Sequence, residues 1–262
     1  MTPNQFTHHP EVNTVLDALL PEVKSILGDQ FIGMYLHGSL AYGDFDPRTS
    51  DIDFLVVTQD SLSAEIFSAL KEMHAHLFAS GGTWSRKLEG AYLPEGHLRR
   101  HEPGHAPIPW LGSDGHFAWE RLGSDWIIQR WILREKGVIV AGPPLVDMID
   151  SVSAADLREA VRGSLREWWS PPFPSPERFQ RDGYRVYAVL TMCRSLYVRE
   201  FGRVASKPEA ARWAIQMFDG RWDDLISSAA TWRPGIALDN VAEMHQFIQF
   251  TLEKWDLPSL RD

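Results

Sequence analysis

The chain has 262 residues, of which 44% are hydrophobic and 23% charged, which is ordinary for a globular protein of one or two domains. Its formal net charge of −9 argues against non-specific binding of nucleic acid and favours a polycationic partner. A single cysteine excludes an intrachain disulfide, and no apolar run predicts a signal core or a membrane span. We therefore expect a cytoplasmic protein with neither nucleic-acid nor membrane partners.

The first half of the chain predicts alternating helices and strands. Apolar residues at helical spacing predict a helix over 12–27, which Gly28 ends. Two apolar runs, 31–36 and 52–57, predict strands, and the turn-forming residues 46–50 precede the second strand. The pattern then predicts a helix over 62–78, a strand over 84–93, a loop over 97–115 and a helix over 124–136.

The segment 36–57 carries the main chemical signal. Asp51 and Asp53 are two residues apart at the start of a strand, so their side chains share one face. Adjacent carboxylates repel one another unless a cation lies between them, and Mg²⁺ prefers oxygen ligands. Gly38 and Ser39 form a small-residue turn whose backbone N–H groups can hold phosphate. Together these features predict nucleotide chemistry.

This order of strand, Gly-Ser turn, short helical connection and Asp-x-Asp strand resembles the nucleotidyltransferase superfamily that includes DNA polymerase β. The resemblance implies a third carboxylate on a neighbouring strand. Glu89 is the best candidate, and Glu95 is the alternative, although its Pro and Gly neighbours indicate a turn. Glu89 could instead be an exposed strand residue paired with Arg86 or Lys87.

The second half of the chain predicts successive helices. Ser153 provides a capped start for a helix over 153–169, and a Ser-x-x-Glu pattern at 206–209 predicts another helix start. The other predicted helices cover 183–201, 223–230 and 239–255, and the proline-rich run 170–176 predicts a stiff linker. We therefore expect an α+β nucleotidyltransferase domain over 1–152, with a mixed sheet, and a helical bundle domain over 153–262.

The segments 190–194 and 202–208 resemble the helical domain of the streptomycin/spectinomycin-type aminoglycoside adenylyltransferases. In that family the N-terminal domain holds ATP and two Mg²⁺ ions, the helical domain clamps the nucleotide, and the drug lies between them. The resemblance therefore implies an ATP- and magnesium-dependent enzyme that confers antibiotic resistance. We also expect a monomer.

The resemblance implies roles for residues of the first domain. Ser39 and Ser50 would contact phosphates, and Asp51 and Asp53 would bind both metal ions. Glu89 would deprotonate the acceptor hydroxyl and join the metal ligands.

Two cations of the helical domain are similar to the family's nucleotide-binding residues, namely Arg194 and Lys207. Lys207 falls in the first turn of a predicted helix, where the helix dipole disfavours a cation, so an anionic ligand would explain it. Arg194 could instead form a surface ion pair with Glu200 or Asp182.

The substrate positions depart from the family pattern. Tyr184 occupies the position where family members carry an acidic residue, although Asp182 could substitute, and Tyr187 occupies a second drug-contact position. The tryptophans that resemble those of the family's drug site are Trp168 or Trp169, with Trp119 as a second.

The sequence thus predicts transfer of AMP from ATP to a hydroxyl of a cationic aminoglycoside or aminocyclitol. The alternative is a nucleotidyltransferase that modifies another small molecule or a protein, as the antitoxin-type enzymes do.

Overall fold

The computed structural model of the protein describes residues 5–102, 104–170 and 176–257. The chain forms two compact units. The first extends to residue 122 and also includes 129–151, and the second combines 123–128 with the chain from 152 onward. The segment 123–128 therefore belongs with the second unit. Within the described ranges, no helix is both long and apolar enough to cross a membrane.

A six-stranded mixed sheet organises the first unit, in the order β5-β4-β3-β2-β1-β6. The strands are β1 (Phe31–Leu36), β2 (Ile52–Thr58), β3 (Leu88–Pro94), β4 (Ile108–Leu111), β5 (Phe117–Glu120) and β6 (Val138–Ala141). Strands β2 and β3 are parallel, whereas the other neighbouring pairs are antiparallel. This arrangement confirms the predicted mixed sheet.

Helices cover this sheet and connect its strands. They are α1 (Pro10–Leu27), α2 (Gly38–Tyr42), α3 (Ala64–Ala79), α4 (Glu95–Arg99), α5 (Asp125–Lys136, which begins in the second unit) and α6 (Leu145–Met148). Helix α1 buries Val12, Leu16 and Leu19 in a core that also contains Phe54 and Val56 of the central strand. Burial of a leucine or phenylalanine side chain contributes about 1.5–3 kcal/mol, so the apolar runs that predict the helices and strands also stabilise their packing.

Two predicted elements of the first unit differ from the structure. The predicted strand 84–93 begins only at Leu88, because Ser85–Lys87 forms a 3₁₀ turn. The predicted loop 97–115 contains β4, which pairs with β5 in a hairpin. Strand β4 was not predicted because it contains Pro109, which lacks a backbone N–H donor and is therefore rare inside strands. Glu95 begins α4 and does not lie in an irregular turn.

The second unit is helical in its described part, as predicted. Its further helices are α7 (Ala154–Trp168), α8 (Asp182–Phe201), α9 (Lys207–Met217), α10 (Asp223–Ala230) and α11 (Val241–Lys254), with a 3₁₀ turn at Pro176–Gln180. Ser153 forms a reciprocal capping box with Asp156, and the Ser206 side chain accepts from Glu209 N. Helix α8 packs against the other four helices. Most of the predicted proline-rich linker, 171–175, lies outside the described residues.

Candidate active site

The parallel pairing of β2 and β3 brings two predicted carboxylates together. Asp53 and Glu89 are direct partners in the register, so their side chains leave the same face of the sheet. Asp51 precedes Asp53 by two residues, just before β2 begins. The structure therefore places Asp53 and Glu89 on two neighbouring strands and Asp51 directly before the first of them, and each is partly exposed.

The Gly-Ser turn lies directly against Asp53. Helix α2 begins at Gly38, whose φ is +57°. A Cβ atom at this position would overlap Oδ2 of Asp53 and lie 2.7 Å from its Cγ. The backbone N–H of His37 also donates to the carbonyl of Asp53, at 3.0 Å. Glycine is required here both for its backbone conformation and for this close approach.

A compact turn over 46–50 leads into Asp51. Ser50 N donates to Asp46 O at 2.8 Å, and Asp46 N donates to Ser50 Oγ at 3.0 Å. Arg48 closes the outer side of the turn with two hydrogen bonds to the Asp46 carboxylate, at 3.0 and 2.9 Å. Because Oγ of Ser50 accepts in this turn, its hydroxyl proton remains available for another acceptor.

The carboxylates match the chemistry of a hard divalent cation, which prefers oxygen ligands from Asp and Glu. In the part of the chain that the structure describes, however, no three or more His, Cys, Asp or Glu side chains are arranged to hold a metal. Mg²⁺ is usually bound by one or two carboxylates together with substrate phosphates and water, so these carboxylates fit the ion without forming a complete protein coordination shell.

Four of the predicted residues of the second unit form one aromatic and cationic cluster. The Trp169 ring stacks on Tyr184 at 5.9 Å between centroids, and Tyr187 lies 5.8 Å from both. Lys207 Nζ lies 5.7 Å from the centre of the Tyr187 ring. Trp169 is buried and Tyr187 is exposed, so the cluster reaches from the core of this unit to its surface.

Arg194 and Asp182 make separate local contacts. Arg194 Nε donates to Ala205 O at 3.1 Å and so holds the segment that precedes α9. Asp182 pairs with Arg185 at 3.0 Å and accepts from Leu238 N at 3.1 Å. These contacts fix Asp182 at the start of α8, and its suggested role toward a substrate stays a prediction.

The other two tryptophans lie in different units. Trp168 ends α7 in the second unit and is 47% exposed, so its ring is accessible. Trp119 lies in the first unit on the edge strand β5, where it stacks on Phe67 at 4.8 Å. Stacking on the partly buried Phe67 ring explains this tryptophan structurally, and its suggested role at a drug site stays a prediction.

Two family models match the chain. The model for the nucleotidyltransferase domain matches residues 16–86, and the model for the aminoglycoside adenylyltransferase C-terminal domain matches residues 147–253. The chain thus combines a nucleotidyltransferase domain with a C-terminal domain of the aminoglycoside adenylyltransferase type. The first match contains the Gly-Ser turn and the Asp-x-Asp strand, and the second contains the aromatic and cationic cluster.

Curated relatives are similar to this chain over most of its length, and a solved structure shares its fold. An aminoglycoside (3'') (9) adenylyltransferase of Escherichia coli is 27% identical and aligns over 92% of this chain and 93% of its own length. A spectinomycin 9-adenylyltransferase of Campylobacter jejuni is 25% identical, over 87% of this chain and 86% of its own. The spectinomycin adenyltransferase of Enterococcus faecialis, solved with ATP and spectinomycin, shares the fold, with a TM-score of 0.70 and 19% identity. That alignment covers 94% of this chain and 98% of the other.

One residue beside the carboxylates of this adenylyltransferase was not predicted. His37 directly precedes Gly38 and interacts with Asp53. Burial lowers the pKa of His37, while the charge of Asp53 and a backbone hydrogen bond with Phe54 oppose that shift. The lowered pKa favours the neutral form of His37. In the sequence, only its position next to the Gly-Ser turn indicates that His37 lies at this site.

An acidic pair beside Trp168 was also not predicted. Glu167 accepts from Ser124 Oγ at 2.6 Å and from Ser124 N at 3.2 Å. Burial raises the pKa of Asp125, and the charge of Glu167 raises it further. No pattern in the sequence indicates this pair, because the two carboxylates lie on segments far apart in the chain.

Proposed function

We propose that this adenylyltransferase transfers AMP from Mg-ATP to a hydroxyl of a streptomycin- or spectinomycin-type antibiotic. The observation that carries the proposal is the parallel register that pairs Asp53 with Glu89 beside the Gly38 turn. The names of the relatives and the ATP and spectinomycin of the Enterococcus faecialis structure support the nucleotide and the class of acceptor.

The residues of the first unit have distinct roles in this proposal. Asp51 and Asp53 would hold two Mg²⁺ ions, which when bound offset the charge of the triphosphate. Ser39, Ser50 and the backbone at Gly38 bind phosphate oxygens. Glu89 takes the proton of the acceptor hydroxyl, whose oxygen attacks the α-phosphorus, and pyrophosphate leaves.

Arg194 and Lys207 supply positive charge to the nucleotide. A triphosphate carries more negative charge than two divalent ions neutralise, and cations stabilise charge that develops during phosphoryl transfer. Lys207 lies at the first residue of α9, where the helix dipole disfavours a cation. An anionic ligand compensates for that unfavourable position.

The acceptor binds to aromatic faces in this proposal. Trp168, Tyr184 and Tyr187 offer rings to a sugar or an ammonium group, and the buried Trp169 supports the rings of Tyr184 and Tyr187. Because Tyr184 stands where the resemblance implies an acidic residue, we expect a range of acceptors that differs from that of the relatives, either other drugs or another hydroxyl compound. Asp182 supplies a carboxylate close to Tyr184, and Trp119 completes the predicted substrate set.

Pyrophosphate release measured with a series of candidate acceptors tests the proposal. The protein is incubated with Mg-ATP and streptomycin, spectinomycin or other aminoglycosides, and pyrophosphate release is measured with Glu89→Gln as the inactive control. Release that depends on streptomycin or spectinomycin supports the proposal. Binding of ATP without release for any antibiotic contradicts it and favours another small molecule or a protein as acceptor.

A further inference from the structure

Lys87 joins the strand that carries Glu89 to the turn that leads into Asp51. It ends the 3₁₀ turn Ser85–Lys87, immediately before β3. Its Nζ donates to Pro47 O and to Ser50 O, both at 3.1 Å. The half-buried Lys87 side chain therefore connects two carbonyl groups of the 46–50 turn to the start of β3.

We propose that Lys87 is a positioning residue that sets the geometry of Ser50 and Asp51 for nucleotidyl transfer. This inference rests on the proposed function, because it assigns those two residues to phosphate and metal binding. Lys87 itself contacts neither the substrate nor the reacting atoms in this proposal. It acts through the backbone that precedes Asp51.

The peptide bond explains how Lys87 acts on Asp51. The carbonyl of Ser50 and the backbone N of Asp51 belong to one planar peptide unit. Holding the carbonyl oxygen fixes the orientation of that plane, and thus the direction in which Asp51 leaves the turn. The N–H and Oγ of Ser50 are already bonded to Asp46, so Lys87 supplies the attachment to β3 that the turn does not make internally.

An aromatic contact holds the other end of the same turn. Lys87 Nζ lies 5.0 Å from the centre of the Trp84 ring, and Trp84 lies 5.3 Å from Phe45. Phe45 is buried and directly precedes Asp46, the first residue of the turn. The turn is therefore held at its start by Phe45 and at its end by Lys87, and both contacts come from the segment before β3.

The neighbouring residue provides a matched control. Arg86 lies on the same 3₁₀ turn and is exposed, and its Nε donates to Phe78 O at 3.4 Å. Its guanidinium lies 5.6 Å from the Phe78 ring. Like Lys87, Arg86 is a cation that donates to a backbone carbonyl and lies over an aromatic ring. Arg86→Met therefore removes the same kinds of contact from the same turn but leaves the contacts of Pro47 and Ser50 with Lys87 in place.

Hydrogen exchange of the full chain without substrates tests the attachment itself. In Lys87→Met we expect the amides of 46–51 to exchange about tenfold faster than in wild type, while Arg86→Met leaves them unchanged. The midpoint of thermal unfolding shows whether each variant folds, and Lys87→Gln replaces Lys87→Met if the latter does not. Wild-type exchange over 46–51 in a folded Lys87 variant overturns the proposal.

Kinetics test the positioning role. We expect Lys87→Met to lower kcat about tenfold with an unchanged KM for the acceptor, and Lys87→Arg to recover most of the loss. Faster exchange with wild-type kcat would make Lys87 a purely structural residue and overturn the proposal. If the wild type transfers no AMP to any acceptor, the proposed function fails, whereas the exchange result still shows whether Lys87 holds the turn.

Discussion

Asp53 and Glu89 are direct register partners on the two parallel strands of the sheet, β2 and β3. This pairing places a potential metal ligand beside a potential base without any contribution from loops. Strand backbones are more rigid than loops, so the ladder of hydrogen bonds sets the backbone spacing of these two residues. Because the two side chains lie on different strands, each can be replaced separately to test its role.

Glu89→Gln is expected to lower kcat by about 10²–10⁴-fold, the usual contribution of a general base. Gln has nearly the same shape and accepts no proton, so the KM for ATP changes little. Asp53→Ala and Glu89→Ala are both expected to abolish transfer while the fold is retained. Pyrophosphate release and circular dichroism measure the two properties.

Glu120→Gln is the control for these variants, because Glu120 is an exposed glutamate on the edge strand β5. It is expected to match the wild type. Turnover at the wild-type rate in Asp53→Ala and in Glu89→Ala would contradict the assigned roles.

Gly38→Ala is expected to abolish transfer, because its Cβ would displace the Asp53 carboxylate. Gly43→Ala is a matched control. Gly43 also has a positive φ, of +74°, but a Cβ added there would meet no atom within 4 Å. Both variants carry a similar backbone cost of about 1 kcal/mol, which thermal unfolding measures. Equal activity of the two variants would show that contact with Asp53 does not matter.

The elements near the carboxylates could be predicted from sequence because several signals agree there. Strand β2 is a continuous apolar run behind Asp51 and Asp53, and α1 and the strand before Gly38 have clear periodicity. The Ser153 and Ser206 caps are local rules that need no tertiary information. The β4–β5 hairpin was not predicted, because its strands are short and Pro109 suggests a loop.

Side-chain placement could not be predicted in the same way. The Trp169, Tyr184 and Tyr187 cluster depends on how α7 and α8 pack, which periodicity does not specify. The contacts of Lys87 with Pro47 and Ser50 join segments about 40 residues apart in sequence, as they depend on the β2–β3 register. Such contacts follow from the fold and not from local composition.

Lys207→Met is expected to raise the KM for ATP about tenfold, since it removes one charge-assisted contact with a phosphate. Lys254→Met is its control within the second unit, because Lys254 also lies over an aromatic ring, 5.3 Å from the centre of Phe250. The control is expected to leave the KM unchanged. Equal KM values for the two variants would remove Lys207 from the nucleotide site.

His74 is expected to make stability depend on pH. Its Nε2 lies 2.7 Å from Tyr92 Oη, and its ring packs against Phe54 and Phe117. Burial lowers the pKa of His74 from 6.5 to about 4. Between these values the unfolded chain binds a proton that the folded protein does not. The free energy of unfolding therefore decreases as pH falls from 6.5 to 4, by up to about 3 kcal/mol, and the loss is complete below 4.

His74→Gln keeps a hydrogen-bonding group for Tyr92 and removes the titration. We expect denaturant unfolding of this variant to be less pH-dependent than that of the wild type between 6.5 and 4, while the two curves run parallel above pH 7. His116→Gln serves as the control, because His116 is exposed on the first unit. Its profile is expected to follow the wild type. Parallel profiles of wild type and His74→Gln over the whole range would show that His74 binds its proton equally well in the folded and unfolded chain.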